Sequence, residues 1–360
     1  MFLHIPLNPL KHPAIDSICP ERLHIGFKIL HFLRIQRFVK EAFMKKVMKI
    51  IGIIVLVILA TVVVLFIKGY IASKRPFIKE DYYTEFSSSS PLEQKYSQMG
   101  EYEISSLDNS SDNESIKKVR IWYPTKLTTT DEKFPVIIVV NASAVPASKY
   151  EAWFKRLASW GFVVVGNEDP QTGTGATTSI TLDYLLNLPD EHLLKGKLDE
   201  GNIGIAGFSQ GGAGALAAVT EYENGSAYKT IFTGSAAYPS LAENMGWRYD
   251  VSKIYIPYFM VAGTGKTDDM GVANPTKEYA GVAPLVSLVE NYNAISDEVP
   301  KVRARAFGAE HEDMLVRSDG YMTAWMLYQL KGSKEAGTVF LGEDAEILHN
   351  VNWQDVEKNQ

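Results

Sequence analysis

The sequence predicts an α/β protein: a mostly parallel central sheet covered by helices on both faces, preceded by one membrane-spanning helix. Three observations carry this. Short runs such as Val136–Val140, Phe162–Val165 and Ile203–Ala206 are apolar throughout, the mark of strands buried on both faces. They alternate with helical stretches such as Tyr150–Trp160, which gathers Trp153, Phe154, Leu157 and Trp160 on one side. Residues 50–67, IIGIIVLVILATVVVLFI, form 18 consecutive positions without a charge. As a helix this run is about 27 Å long, close to the hydrocarbon thickness of a bilayer.

Taken in order, the chain opens on a basic front end. Residues 1–75 carry 12 Lys/Arg and 3 Asp/Glu, a balance of +9. The remaining residues carry 24 and 39, a balance of −15. An acidic bulk behind a short basic front is not the footprint of a nucleic-acid binder. Lys45, Lys46 and Lys49 stand directly before the apolar run, and Lys68, Lys74, Arg75 and Lys79 follow it. This bias predicts a single-pass protein with its N-terminus inside and everything after residue 75 outside the cytoplasm. The run is longer than a signal-peptide core and lacks a clean small-x-small cleavage site, so an uncleaved signal anchor is expected. Residues 1–43 hold His4, His12, His24, His31 and the lone Cys19, at spacings that fit no metal-ligand pattern. Met44-Lys45-Lys46 followed by the apolar run reads as a complete targeting segment, so Met44 is the expected start of translation. One cysteine excludes a disulfide scaffold, and the globular composition, 46% hydrophobic and 22% charged, excludes wholesale disorder.

Residues 76–115 read as a polar bridge with a flexible Ser87–Ser90 tract and a hairpin loop rich in Ser, Asn and Asp. The acidic run 108–112 lacks the glycine and terminal Glu of a calcium loop. Tyr102–Ser106 and Val119–Tyr123 pair as strands. Further strands are expected at Ile231–Thr233, Tyr258–Ala262 and Val302–Phe307, and helices at Gly211–Thr220, Ala283–Ala294 and Asp319–Leu330. The interval between the strands near 233 and 258 is too short for a large lid domain.

The chemistry is concentrated at Gly207-Phe208-Ser209-Gln210-Gly211. A strand, Asn202–Ala206, runs into it and a small-residue helix leaves it. This strand–turn–helix context is what a strained nucleophile elbow requires of G-x-S-x-G. An idle serine in a tight turn is the competing reading. A serine hydroxyl needs a base. Only His311 and His349 follow Ser209, and His311 lies in the loop Gly308–Met314 between the last strand and the last helix, where a base would hang over the strand ends. The acid is expected after the strand Tyr258–Ala262, at Asp268 or Asp269, with Asp268 preferred. The same loop's Gly265-Lys266-Thr267 is not a phosphate loop, because the first glycine of that pattern falls on Met260. Oxyanion donors are expected from the backbone of Gln210 and of the turn Asn141–Ala144, with Ser143 preferred and Ala142 second.

These motifs resemble the α/β-hydrolase fold, in particular its dienelactone hydrolase, cutinase-like and chlorophyllase-like serine esterases. Phe134–Ser143 is similar to that group's strand and oxyanion turn, and Arg156–Val165 to its next helix and strand. Gly207–Gly212 is similar to its elbow, and Gly308–His311 to its histidine loop. The chain departs from the group where Asn141-Ala142 replaces a His-Gly or Pro-Gly. The resemblance implies hydrolysis of a carboxylic ester, small or lipid-like, through an acyl-enzyme on Ser209, His311 and Asp268, with no cofactor, metal or nucleotide. An acyltransferase with the same triad, or a non-catalytic surface protein on this scaffold, are the alternatives. Tyr238, Trp247, Tyr249 and Trp160 are candidates for an acyl pocket, against the commoner role of such aromatics as core. The expected organisation is a cytoplasmic segment 1–49, an anchor 50–67 in the cell membrane, a linker 68–97, a catalytic domain 98–331 and a tail 332–360.

Overall fold

A computed structural model describes residues 20–272, 274 and 277–360. His4, His12 and Cys19 lie outside them. The chain divides after Arg75 into two compact units, each considered by itself.

The first unit contains one continuous helix, Pro20–Lys74. The side chains of residues 50–67 are exposed along its whole circumference. Its segment Leu30–Ile71 is long and apolar enough to cross a membrane. The one hydroxyl of the apolar run is satisfied within the helix, Thr61 Oγ1 donating to the Val57 carbonyl at 2.9 Å, as an apolar environment demands. The helix extends well before residue 50 because the residues there are good helix formers, with Arg37 and Glu41 paired one turn apart.

The second unit is built on nine strands among the described residues: β1 (Ile104–Ser110), β2 (Lys118–Pro124), β3 (Phe134–Val140), β4 (Val163–Asn167), β5 (Leu198–Phe208), β6 (Tyr228–Gly234), β7 (Tyr258–Gly263), β8 (Lys301–Ala306) and β9 (Trp353–Lys358). They form one sheet in the order β1-β2-β4-β3-β5-β6-β7-β8-β9. β3 to β8 run parallel, while β2 is antiparallel to both its neighbours and β9 is antiparallel to β8. The apolar runs are explained by the two cores. On β3, Ile137 and Val139 face a core with Trp153, Phe154 and Trp325, while Val136, Ile138 and Val140 face a second core with Leu182, Leu216 and Ile254. With both faces covered, alternation has nothing to select for, and all of β3 is buried.

The structure differs from the sequence reading at both edges. Residues 76–97, expected as a linker, carry a turn at Tyr82–Thr84 and a helix at Pro91–Tyr96 that belong to the second unit. Their anchor is Arg156, completely buried. It pairs with Asp319, and its Nε and Nη1 donate to the Tyr82 hydroxyl (2.9 Å) and the Tyr96 carbonyl (2.7 Å). Asp319 also accepts from Tyr82 Oη (2.7 Å) and Trp153 Nε1 (2.8 Å). Residues 332–360, expected as a tail, supply β9 and two short helices. Glu93, 1% exposed, accepts from Trp353 Nε1 (2.6 Å), Asn350 Nδ2 (2.8 Å) and Asn352 Nδ2 (2.9 Å). In return the Glu346 carboxylate accepts the backbone N–H groups of Leu92 and Glu93 at 2.8 and 2.9 Å. These hydrogen bonds add to apolar packing: Ile78, Tyr82 and Tyr96 of the first segment and Val339, Phe340, Ile347 and Trp353 of the second are buried in the core that holds Trp153 and Trp325. The helix Ala176–Leu186 is masked by its Thr-rich first half, and the last helix begins earlier than expected, at Met314.

Removing one partner of the Arg156–Asp319 pair leaves a buried charge uncompensated. Asp319→Ala is expected to lose about 3–5 kcal/mol in chemical denaturation of the detergent-solubilised chain. Glu85→Ala, which breaks the exposed Lys79–Glu85 pair, is expected to leave the midpoint where it was.

Candidate active site

The parallel strands present their C-terminal ends to one rim of the sheet, and the residues singled out from sequence gather there. Ser209 follows β5 directly and caps the helix Gln210–Thr220. Its φ of 55° and ψ of −122° hold a non-glycine residue in a region that costs about 1–3 kcal/mol. The turn is closed by two backbone approaches. A Cβ on Gly207 would lie 2.1 Å from the Gly211 carbonyl oxygen, and one on Gly211 would lie 2.2 Å from the Val140 carbonyl oxygen.

Asp268 and Asp269 are separated by the helix they sit on. In the short helix Lys266–Asp269, consecutive side chains point about 100° apart. Asp268, 0% exposed, turns to His311: its Oδ1 lies 2.6 Å from His311 Nδ1. Its Oδ2 accepts from Ser235 Oγ at 2.6 Å and from the Gly263 N–H at 2.8 Å. Asp269 turns instead to Arg305 on β8, at 2.6 Å, and Arg305 also holds Asp355 of β9. His349 reaches only the Glu343 carbonyl, at 3.4 Å. Burial of His311 opposes its protonation, but the hydrogen bond and charge of Asp268, helped by Glu312, outweigh it, so its pKa stands above the ordinary 6.5.

Ser209 and His311 line one cavity of about 210 Å³, with Ala142, Ser143, Tyr150 and Phe208 and with Phe77, Val145 and Leu315 as further apolar wall. The turn after β3 is braced from below. Asn141 Nδ2 donates to the carbonyls of Asn167 (2.8 Å) and Asp169 (2.7 Å), and Thr172 Oγ1 donates to the Asn141 carbonyl at 2.6 Å. This asparagine does the bracing where the resembling group carries a His or Pro. The two amides considered for the oxyanion differ. The Ala142 N–H is already engaged by the Tyr150 hydroxyl at 3.0 Å. The Ser143 N–H has no partner among the described residues. Gln210 opens its helix, where N–H groups lack intrahelical acceptors, and its side chain is tied to Gln171 at 3.0 Å.

None of Tyr238, Trp247, Tyr249 and Trp160 lines this cavity. Tyr249 is core, its hydroxyl on the Ala237 carbonyl, and Trp160 packs at a tilt against Tyr96. Trp247 lies over Gly173 and Tyr238 faces Tyr279. The residues that sequence reasoning missed are Tyr150, Ser235 and Phe77. Ser235 and Tyr150 reach the site through tertiary placement alone, and Phe77 comes from the segment read as a linker.

A strand order with β2 antiparallel, a serine on a strained turn after β5, and an Asp–His pair from the ends of β7 and β8 are the marks of the α/β-hydrolase fold, and this chain has that fold. Residues 89–235 match the family described as PETase, PET hydrolase-like. That stretch contains the turn Asn141–Ala144 and Ser209 and ends before Asp268 and His311. The bis(hydroxyethyl) terephthalate hydrolase of Streptomyces coelicolor is 34% identical over 104 residues, 27% of this chain and 32% of that protein. The chain thus spans about a third of the length of the curated relative it matches.

The tight approaches at the elbow make a direct prediction. Gly207→Ala forces a methyl against a carbonyl oxygen, and thermal and denaturant unfolding is expected to register a loss of about 3 kcal/mol or more. Unchanged stability would mean that the elbow can open.

Proposed function

We propose that the chain is a membrane-anchored serine hydrolase that cleaves carboxylic esters through an acyl-enzyme, its second unit facing away from the cytoplasm. The observation that carries this reading is His311, paired with the buried Asp268, lining one cavity with a serine on a strained turn. Asp268 accepts the Nδ1–H and so fixes the tautomer that leaves Nε2 free as a base. His311 takes the Ser209 proton as Oγ adds to the ester carbonyl, then hands it to the departing alcohol. Water repeats the sequence on the acyl-enzyme and regenerates Ser209. The amides of Ser143 and Gln210 hold the oxyanion, each worth about 10²–10³ in kcat.

The cavity bears on the substrate. An apolar cavity of about 150 Å³ holds a benzene ring, so one of about 210 Å³ takes one ring-sized acyl group and leaves the rest of the ester at its mouth. The relative's name, a hydrolase of a terephthalate diester, supports the same choice. The substrate class we favour is a small aryl or short-acyl ester. The apolar helix with its basic flanks supports the anchor, and the weaker positive charge after the run supports the outward orientation.

Ester turnover by the detergent-solubilised chain is expected to fall by about 10³-fold or more in Ser209→Ala and in His311→Ala. Retention of activity in both would defeat the reading. Bis(hydroxyethyl) terephthalate and a p-nitrophenyl ester series size the acyl site, with turnover expected to drop beyond a ring-sized acyl group. An added alcohol reports transfer in place of hydrolysis.

The pH profile carries a sign. His311 acts as a base only when neutral, so the acid limb of kcat/KM is expected above the ordinary histidine value. Asp268→Asn removes the larger influences that raise this pKa and leaves only Glu312 against burial, which lowers it. The limb is then expected to move to lower pH while kcat falls on the order of 10⁴-fold. A limb that stays in place would separate it from His311. Protease shaving of intact cells is expected to remove residues beyond 76, and their survival would reverse the orientation.

A further inference from the structure

Tyr150 stands immediately before the helix Glu151–Ser159 and is 2% exposed. Its ring packs edge-on against Phe77 at 5.5 Å and lies against Trp153 and Phe154, so the ring cannot turn away. Its hydroxyl accepts the Ala142 N–H at 3.0 Å. The hydroxyl's own proton has no acceptor among the described residues. A buried hydroxyl that accepts and does not donate is unusual, because each unmade hydrogen bond in a site shielded from water costs free energy. Tyr150 lines the same cavity as Ser209, Ala142 and Ser143. The proton therefore has one open direction, away from Ala142 and toward the space beside the nucleophile.

We propose that the Tyr150 hydroxyl is a side-chain donor of the oxyanion hole, giving a hydrogen bond to the carbonyl oxygen of the ester as negative charge develops there. This rests on the serine-hydrolase reading and adds a catalytic residue to it. The Ala142 amide, unable to reach substrate itself, acts through the phenol: by donating to the oxygen it polarises the O–H and strengthens it as a donor. Burial keeps the phenol protonated far above neutral pH, a push that the Ala142 hydrogen bond only partly offsets. A donor fixed in place before the reaction needs no reorganisation when charge appears.

A simple strut for the oxyanion turn would also be harmed by Tyr150→Phe, so the test needs two variants of the full chain in detergent. With Ser209-dependent ester turnover in hand, Tyr150→Phe is expected to lower kcat by about 10²–10³-fold with KM little changed. The second variant carries 3,5-difluorotyrosine at position 150, an isostere with a more acidic phenol. Below its ionisation it donates better and accepts worse, so the proposal expects kcat held or raised, with a new fall on the alkaline side where the phenolate can no longer donate. A strut gives the opposite pattern: kcat reduced at neutral pH and recovered on the alkaline side, where the phenolate accepts the Ala142 N–H more strongly. That pattern, or Ser209-dependent turnover unchanged in Tyr150→Phe, overturns this proposal alone. Turnover that does not need Ser209 overturns it together with the reading beneath it. If Tyr150→Phe fails to fold, the isosteric variant still decides.

Discussion

The contact on which the site depends is the backbone approach between Gly207, Gly211 and Val140. Three chain segments meet there with no room for a Cβ. The approach bends the chain sharply enough to lift Ser209 off the end of β5 and to aim the helix Gln210–Thr220 back under the sheet. Everything else at the rim is arranged around that point. Asn141 ties the oxyanion turn to the chain after β4, and the turn's carbonyl is held by Thr172. A relaxed elbow would leave these braces intact and pointing at nothing.

The Asp268 carboxylate is the electrostatic counterpart of that geometry. It is fully buried, yet its oxygens accept from His311, Ser235 and the Gly263 amide. A carboxylate without water keeps its charge only when such donors replace the hydration shell. Ser235 itself is held at a positive φ of 47°, as Ser209 is at 55°, so Asp268 is supported by a residue in a strained backbone. Asp269 spends its charge on Arg305, which keeps a second carboxylate from competing for the imidazole.

The sheet interior was legible in the sequence because burial on both faces writes a continuous apolar run, as on β3. Ser209 and His311 were legible because the motif and the scarcity of histidines after it left little choice. The preference between Asp268 and Asp269 was not forced by sequence. It turns on a four-residue helix too short to leave a periodic pattern. Residues 76–97 and 332–360 were unreadable for another reason: their core side chains, such as Ile78, Tyr82, Phe340 and Trp353, are scattered without a helical or strand period, and Glu93, Glu346 and Asn350 join them by hydrogen bonds across more than two hundred residues. Tyr150 was read only as the start of a helix, since nothing local marks where its hydroxyl ends.

The pairing of the two ends has a consequence for how the protein comes into being. Glu93 is satisfied by Asn350, Asn352 and Trp353, and Glu346 closes the helix that carries Glu93. An early segment of the second unit therefore waits for donors 257 residues further along the chain. Until residues 350–358 have left the ribosome the unit lacks the edge that β9 supplies. A nascent chain halted before residue 350 would leave the helix Pro91–Tyr96 without these partners and its sheet one strand narrower, a difference open to whatever surveys new chains.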